Sequence, residues 1–134
     1  MDILSLSTVS EDDGTVVHLK DVSGNPLYDG PDDTKPVVMR IAGTYSARYR
    51  KAQKAVRDAQ TRAMRRGGSL DGEQIDAAQY ELEAACILEW TFTIGTSAYP
   101  ISPENWRAIA EKQPQWREQV QNAMGDHERF FGQS

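Results

Sequence analysis

The sequence predicts an α+β protein that is mainly α-helical, with a small N-terminal antiparallel β-meander packed on a bundle of about four helices. Apolar residues alternate in short stretches between residues 14 and 43, which is the spacing of strands. From residue 44 to residue 134 they recur every three or four positions, which is the spacing of helices. Turn-forming and capping residues separate the stretches. We therefore expect a flexible acidic arm over residues 1–13 and a single domain over residues 14–134.

The strand region divides into three short segments. Residues 15–20 alternate well enough for a first strand, and a short return strand begins at residues 27–28, after a stretch rich in turn-forming residues. Residues 36–41 form the third strand, with alternate apolar side chains on one face. Because so small a sheet is only marginally stable by itself, we expect helices to cover one of its faces.

The first long helix is expected from about residue 44 to the Gly67-Gly68 break, with Thr44 or Ser46 as its N-cap. Apolar residues follow one another along it in steps of three and four, so they form a seam on one face. The seam consists of Tyr45, Tyr49, Ala52, Val56, Ala59 and Ala63.

The second long helix opens at residues 70–73, is capped by Asp71 and continues to about Trp90. Residues 87–90 make its last turns apolar nearly all round, which predicts that this end is the best-buried part of the fold. The single cysteine, Cys86, is interpreted as a small buried hydrophobic residue of a reducing compartment.

The C-terminal third predicts two short helices with explicit start signals. Ser102 occupies an N-cap position followed by Pro103, and Pro114 repeats the device, so that the first helix must stop at about Gln113. The aromatic and aliphatic side chains of these helices must be covered either by the domain's own core or by a partner protein. The candidates for a partner surface are Trp106, Trp116, Val120, Phe130 and Phe131, of which Trp116 and Phe131 are favoured.

Charge is unevenly distributed along the chain. Residues 1–33 carry eight acids and one base, and residues 67–134 carry eleven acids and four bases. Between them lies a basic helix face, residues 48–66. Its bases could follow a phosphate backbone, but the face has no aromatic residue for stacking and the rest of the chain is acidic, so complementarity with protein is favoured. The bases are Arg48, Arg50, Lys51, Lys54, Arg57, Arg62, Arg65 and Arg66.

The residue types of catalysis and metal binding do not occur in a recognisable pattern. His18 and His127 have no partner at metal-ligand spacing, and no glycine-rich phosphate loop is present. Glu81, Glu83 and Glu89 lie on one predicted helix, but the sequence gives no sign of the pocket that acid–base catalysis would need. We therefore expect no enzyme activity, no metal and no cofactor. The sequence also lacks an apolar run long enough for a membrane span and a signal-peptide pattern.

Short segments spread over nearly the whole chain from residue 14 share one order of motifs with a known family. The segments are residues 19–27, 37–41, 46–53, 89–90, 102–105, 113–114, 118–120 and 130–131. In this order they resemble the tail assembly chaperones of tailed bacteriophages. The chain departs from the family after Trp90, where residues 91–96 are more apolar than the glycine with acidic neighbours usual there.

The resemblance implies a non-enzymatic protein of the host bacterial cytoplasm. Such a protein binds the long, helical tape measure protein and helps recruit tail tube subunits; a homo-oligomer is left open. One alternative is a minor structural virion protein of the tail or the head–tail joint. A weaker alternative is a nucleic-acid-binding regulator that uses the basic 48–66 helix.

Overall fold

The computed structural model describes residues 9–29, 35–91, 93–94 and 97–131. The helices in these ranges are α1 (Val9–Asp13), α2 (Ala47–Arg65), α3 (Gly72–Cys86), α4 (Pro103–Lys112), α5 (Pro114–Gly125) and α6 (His127–Phe131). The strands are β1 (Thr15–His18), β2 (Tyr28–Asp29), β3 (Lys35–Pro36), β4 (Val38–Ile41), β5 (Ile87–Trp90), β6 (Thr93–Ile94) and β7 (Ser97–Ala98). The predicted class, mainly α with a small antiparallel sheet packed on helices, is confirmed.

The main sheet has the order β1-β4-β5, and both of its strand pairs are antiparallel. Val17 lies opposite Met39, and Ile41 lies opposite Ile87. Strands β2 and β3 form a separate pair, so the sheet is not the simple meander expected. Residues 87–90, predicted as the last turns of a helix, form its third strand instead. A short apolar run fits helix or strand equally well, and here pairing with β4 decides the outcome.

The capping signals correctly predict where the long helices begin. The Ser46 hydroxyl accepts a hydrogen bond from the Tyr49 amide at 3.2 Å. Asp71 and Gln74 form a reciprocal capping box at the start of α3. Beyond α2, Gly67 adopts a left-handed conformation with φ of +80°, which reverses the chain after the helix.

The C-terminal helices also begin at the expected residues. Ser102 caps α4 by accepting a hydrogen bond from the Asn105 amide at 3.1 Å, and Pro103 and Pro114 stand at the first positions of α4 and α5. The last predicted helix ends earlier than expected: it breaks at Asp126, and a short α6 follows. The break lets α6 turn back to contact α1.

The predicted N-terminal arm is in part an ordered element. Residues 1–8 lie outside the described ranges, but residues 9–13 form α1, and the side chain of Glu11 is completely buried. The Glu11 carboxylate accepts a hydrogen bond from the Tyr45 amide at 3.1 Å, and Asp12 accepts one from the Ala47 amide at 2.7 Å. Two carboxylates therefore meet the positive N-terminal end of α2, which explains why this acidic segment folds back.

Candidate functional site: an open helical hairpin

The α2–α3 hairpin (residues 47–86) contains the longest helix in the described structure, α2, which the rest of the chain covers poorly. Helix α2 is 19 residues long, and although every one of them is described, none is buried. Its packing within the chain is mainly against α3. Since most helices in globular proteins gain their stability from burying an apolar face, an apolar helix seam covered by a single neighbour is an unusual surface.

The predicted apolar seam of α2 does face α3, but the contact is shallow. On one side of the hairpin lies an open groove of about 260 Å³, which we call the alanine groove. Val56 and Leu70 contribute larger apolar side chains to it, and Gln60, Gln74 and Glu81 contribute polar ones. Because alanine side chains are short, they leave a channel along the hairpin. The alanines that line it are Ala59, Ala63, Ala77 and Ala78.

The alanine groove continues toward α4. A neighbouring cavity of about 220 Å³ shares Ala77 and Glu81 with it and reaches Pro103 and Arg107. Three helices, α2, α3 and α4, therefore present one grooved face.

A second groove, of about 270 Å³, lies along the other side of the same helix pair. Val56, Gln60 and Ala78 line both grooves, which therefore flank the α2–α3 contact. Arg57 and Ile75 belong to the second groove alone, and 55 % of Ile75 is exposed.

Positive charge on α2 is left largely uncompensated by the rest of the described chain. The ion pair between Lys54 and Asp58, at 3.4 Å, lies within α2 itself, and Arg48 donates a hydrogen bond to the Ala85 carbonyl at 3.2 Å. In the described residues the remaining bases of α2 make no ion pair. The face is thus both apolar at its groove and basic at its border, a combination that suits an acidic amphipathic segment.

Three of the four acids of α3, by contrast, are paired with arginines of the C-terminal helices; they are Glu73, Asp76 and Glu83. Glu73 forms an ion pair with Arg107 at 2.7 Å, and this guanidinium holds the pKa of the Glu73 carboxyl below its usual range. Glu83 forms an ion pair with Arg117 at 2.9 Å. Most carboxylates of α3 therefore form ion pairs with α4 and α5 and do not neutralise the positive charge of α2.

A buried carboxylate fixes the base of the hairpin. Glu83 is completely buried and accepts hydrogen bonds from Trp106 Nε1 at 2.9 Å, Arg117 Nε at 2.9 Å and Gln121 Nε2 at 3.0 Å. These four residues, the Glu83 cluster, join α3 to α4 and α5. Because three donors converge on one carboxylate, α3 is fastened to α4 and α5, whereas α2 has no such connection among the described residues and stays open to solvent.

The electrostatics of Arg117 follow from the same cluster. Burial acts to lower its pKa, but the hydrogen bonds and charge of Glu83 outweigh burial, so that the pKa is raised. The guanidinium also lies 3.9 Å from the ring centroid of Tyr80. Arg117 therefore remains charged at any ordinary pH, and the cluster is structural.

Most of the side chains predicted for a partner surface lie inside the molecule. Trp106 and Val120 are completely buried, and only 1 % of Phe130 is exposed. Trp116 is partly buried and donates its Nε1 hydrogen to the Lys20 carbonyl at 2.9 Å. The side chain of Phe131 lies outside the described part. The structure thus corrects the partner-surface interpretation for Trp106, Val120 and Phe130, because the chain's own core covers them.

The basic face was predicted at residues 48–66, and the structure places it on α2 with Arg66 at the C-cap. Its bases are exposed. The structure brings these charges together with the alanine groove, a juxtaposition the sequence interpretation did not include. A seam containing several alanines was the available signal, since small side chains leave room beside a helix.

Cys86 and His127, two side chains with reactive groups, both have structural surroundings. Burial raises the pKa of the Cys86 thiol to about 12, so the thiol is protonated at neutral pH. His127 places Nδ1 3.0 Å from the buried Glu11 carboxylate and stacks on Tyr45. Glu11 and His127 are 116 residues apart, so no local pattern could reveal this contact.

The described residues contain no group of three or more histidine, cysteine, aspartate or glutamate side chains placed to hold a metal ion. Among the helices in the described ranges, none has the length and apolar character needed to cross a bilayer.

Comparison with known proteins gives no match of any of three kinds. No family model, no curated protein and no solved structure matches the chain.

Proposed function

We propose that this protein is a non-enzymatic tail assembly chaperone of a tailed bacteriophage. In this role it acts in the host bacterial cytoplasm, binds the tape measure protein and helps recruit tail tube subunits around it. The proposal takes the family from the resemblance of the sequence motifs, and one structural observation supports the role: an open hairpin whose 19-residue helix α2 buries none of its residues.

The physical argument is that such a hairpin can shelter a helix of another protein. An amphipathic helix laid into an apolar groove hides its own apolar face from water, which is what an aggregation-prone helical client requires. The groove is shallow and lined by small side chains, so binding is expected to be reversible. A chaperone that hands its client to the tube subunits must release it.

Co-expression with the tape measure protein encoded in the same genome tests this function. We expect the soluble fraction of the tape measure protein to rise severalfold and the two proteins to co-purify. An unrelated acidic protein of similar size serves as the control. If the soluble fraction stays at the control level and no complex is recovered, the proposed function is wrong.

Mass spectrometry of purified virions separates the chaperone from the alternative of a minor virion protein. A chaperone is absent from the finished particle, whereas a component of the tail or of the head–tail joint is present at a fixed copy number. Detection at such a number would favour the virion alternative.

The exposed bases of α2 keep a nucleic-acid-binding regulator as the second candidate. Its signature would be a complex with duplex or single-stranded DNA that weakens steeply with salt. A gel-shift titration at low and moderate salt without a complex would remove it.

A further inference from the structure

We infer that the alanine groove binds an acidic amphipathic helix of a partner protein, with the acidic edge of that helix lying along α2. The inference rests on the proposed function for the identity of the partner, but the groove and its charges are properties of this chain alone.

The shape of the groove sets the size of its occupant. The lining residues extend from Val56 to Ala63 on α2 and from Gln74 to Glu81 on α3, and Leu70 lies just before α3. Each helical span corresponds to about 10 Å, or about two turns. Alanines on both walls allow a third helix to approach closely, and its larger apolar side chains can fill the space that the alanines leave.

The charge beside the groove sets the character of the occupant. Arg62 and Arg66 follow the lining residues Ala59 and Ala63 by three positions, so each lies beside a lining residue on the same face of α2. Both arginines are exposed, and neither forms an ion pair within the described residues. A helix with carboxylates along this edge would provide the missing counter-charges.

The α3 side of the groove favours a different charge on the partner helix. Glu81 lines the groove from α3 and is exposed. A carboxylate of the partner next to Glu81 would be repelled, so the edge of the partner facing α3 is expected to be neutral or basic. The groove therefore selects both the sequence and the direction of the bound helix.

Two other occupants fit less well. The phosphates of a nucleic acid could bind the arginines but would leave the apolar lining of the groove uncovered. A second copy of the chain, packed about a two-fold axis, would bring another α2 with the same excess of positive charge to the same contact. An acidic amphipathic helix can cover the apolar lining and also pair with the arginines beside it.

The test uses the full chain and two fluorescein-labelled 18-residue peptides in fluorescence anisotropy. Both peptides carry a stripe of leucines at helical spacing; one has glutamates along the edge of the stripe and the other has lysines at the same positions. We expect the acidic peptide to bind at least tenfold more tightly than the basic one, and its binding to weaken with salt. Equal affinities, or no binding of the acidic peptide up to millimolar concentration, would overturn the inference.

Matched charge reversals locate the site. The variant R62E/R66E is expected to lose at least tenfold in affinity for the acidic peptide. The control R50E/R57E changes the net charge equally but alters the side of α2 that carries the second groove. It should change the affinity less than threefold. Equal losses would mean that overall charge rather than the groove attracts the peptide, and the inference would be wrong.

A third variant tests the apolar part of the site. Ala77→Phe fills the groove at an exposed position. It should lower the affinity for the acidic peptide at least tenfold while leaving the urea unfolding midpoint nearly unchanged. Undiminished binding would contradict the inference. A 20-base-pair DNA duplex that binds the wild type more tightly than the peptide in the same buffer would also overturn it.

These outcomes are distinguishable from failure of the proposed function. If the acidic peptide binds as described but the tape measure protein gains no solubility, the groove assignment stands and the chaperone role falls. If the tape measure protein is solubilised equally well by wild type and R62E/R66E, the role stands and the groove assignment falls.

Discussion

Replacing Glu83 by alanine is expected to lower the free energy of unfolding by about 3 kcal/mol. The substitution removes the one acceptor shared by Trp106, Arg117 and Gln121. It leaves the indole N–H without its partner and the guanidinium with only its longer ion pair, to Asp76 at 3.7 Å. The loss is placed near the lower end of the range for broken buried ion pairs because 22 % of the Arg117 side chain is exposed and can rehydrate. Urea unfolding followed by circular dichroism measures the difference.

The matched control is Glu81→Ala, two positions earlier on the same helix. Glu81 is exposed and forms no ion pair within the described residues, so its replacement should change the free energy of unfolding by no more than about 0.5 kcal/mol. If both variants lose the same amount, the loss reflects helix propensity or net charge, and the structural role of the Glu83 cluster is wrong.

Replacing Gly43 by alanine is expected to cost about 2 kcal/mol although it adds a single methyl group. A Cβ at this position would lie 2.0 Å from Glu11 Oε1 and 2.8 Å from Glu11 Cδ. The carboxylate cannot simply swing away, because it is buried and hydrogen-bonded to His127 and to the Tyr45 amide. Thermal or urea unfolding provides the measurement.

Two comparisons make the result for Gly43 specific. Gly72→Ala, at the start of α3, has no atom within 4 Å of the added Cβ and should be neutral or slightly stabilising. In the background of Glu11→Ala, the Gly43→Ala substitution should cost much less, since the clashing carboxylate is gone. A full penalty in that background would show that Glu11 is not the obstacle.

The sequence alone predicts the elements whose signals are local. Ser46, Asp71 and Ser102 act as caps because the acceptor and the amide it satisfies are three residues apart. The apolar periods place α2, α3 and the C-terminal helices within a few residues of their positions. Strand β5 was not predicted because its apolar run has no period that distinguishes helix from strand. It becomes a strand by pairing with β4, which is distant in sequence.

The candidate site was harder to predict because it depends on pairs distant in sequence. Tryptophan and phenylalanine were expected at a partner surface, yet Trp106 and Phe130 are the largest of the fully buried side chains, since large apolar side chains gain most from burial. The open surface is built from alanines instead, which attract little attention in a sequence. That Glu83 is buried and Glu81 exposed depends on where α4 and α5 dock.

The most direct test of the central claim is hydrogen–deuterium exchange of the full chain, alone and in complex with the tape measure protein. If the α2–α3 hairpin is the docking surface, amides in residues 56–63 and 72–81 will exchange more slowly in the complex, while those in α5 and α6 will change little. Protection confined to α5 and α6, with α2 exchanging as fast in the complex as in the free protein, would contradict the claim.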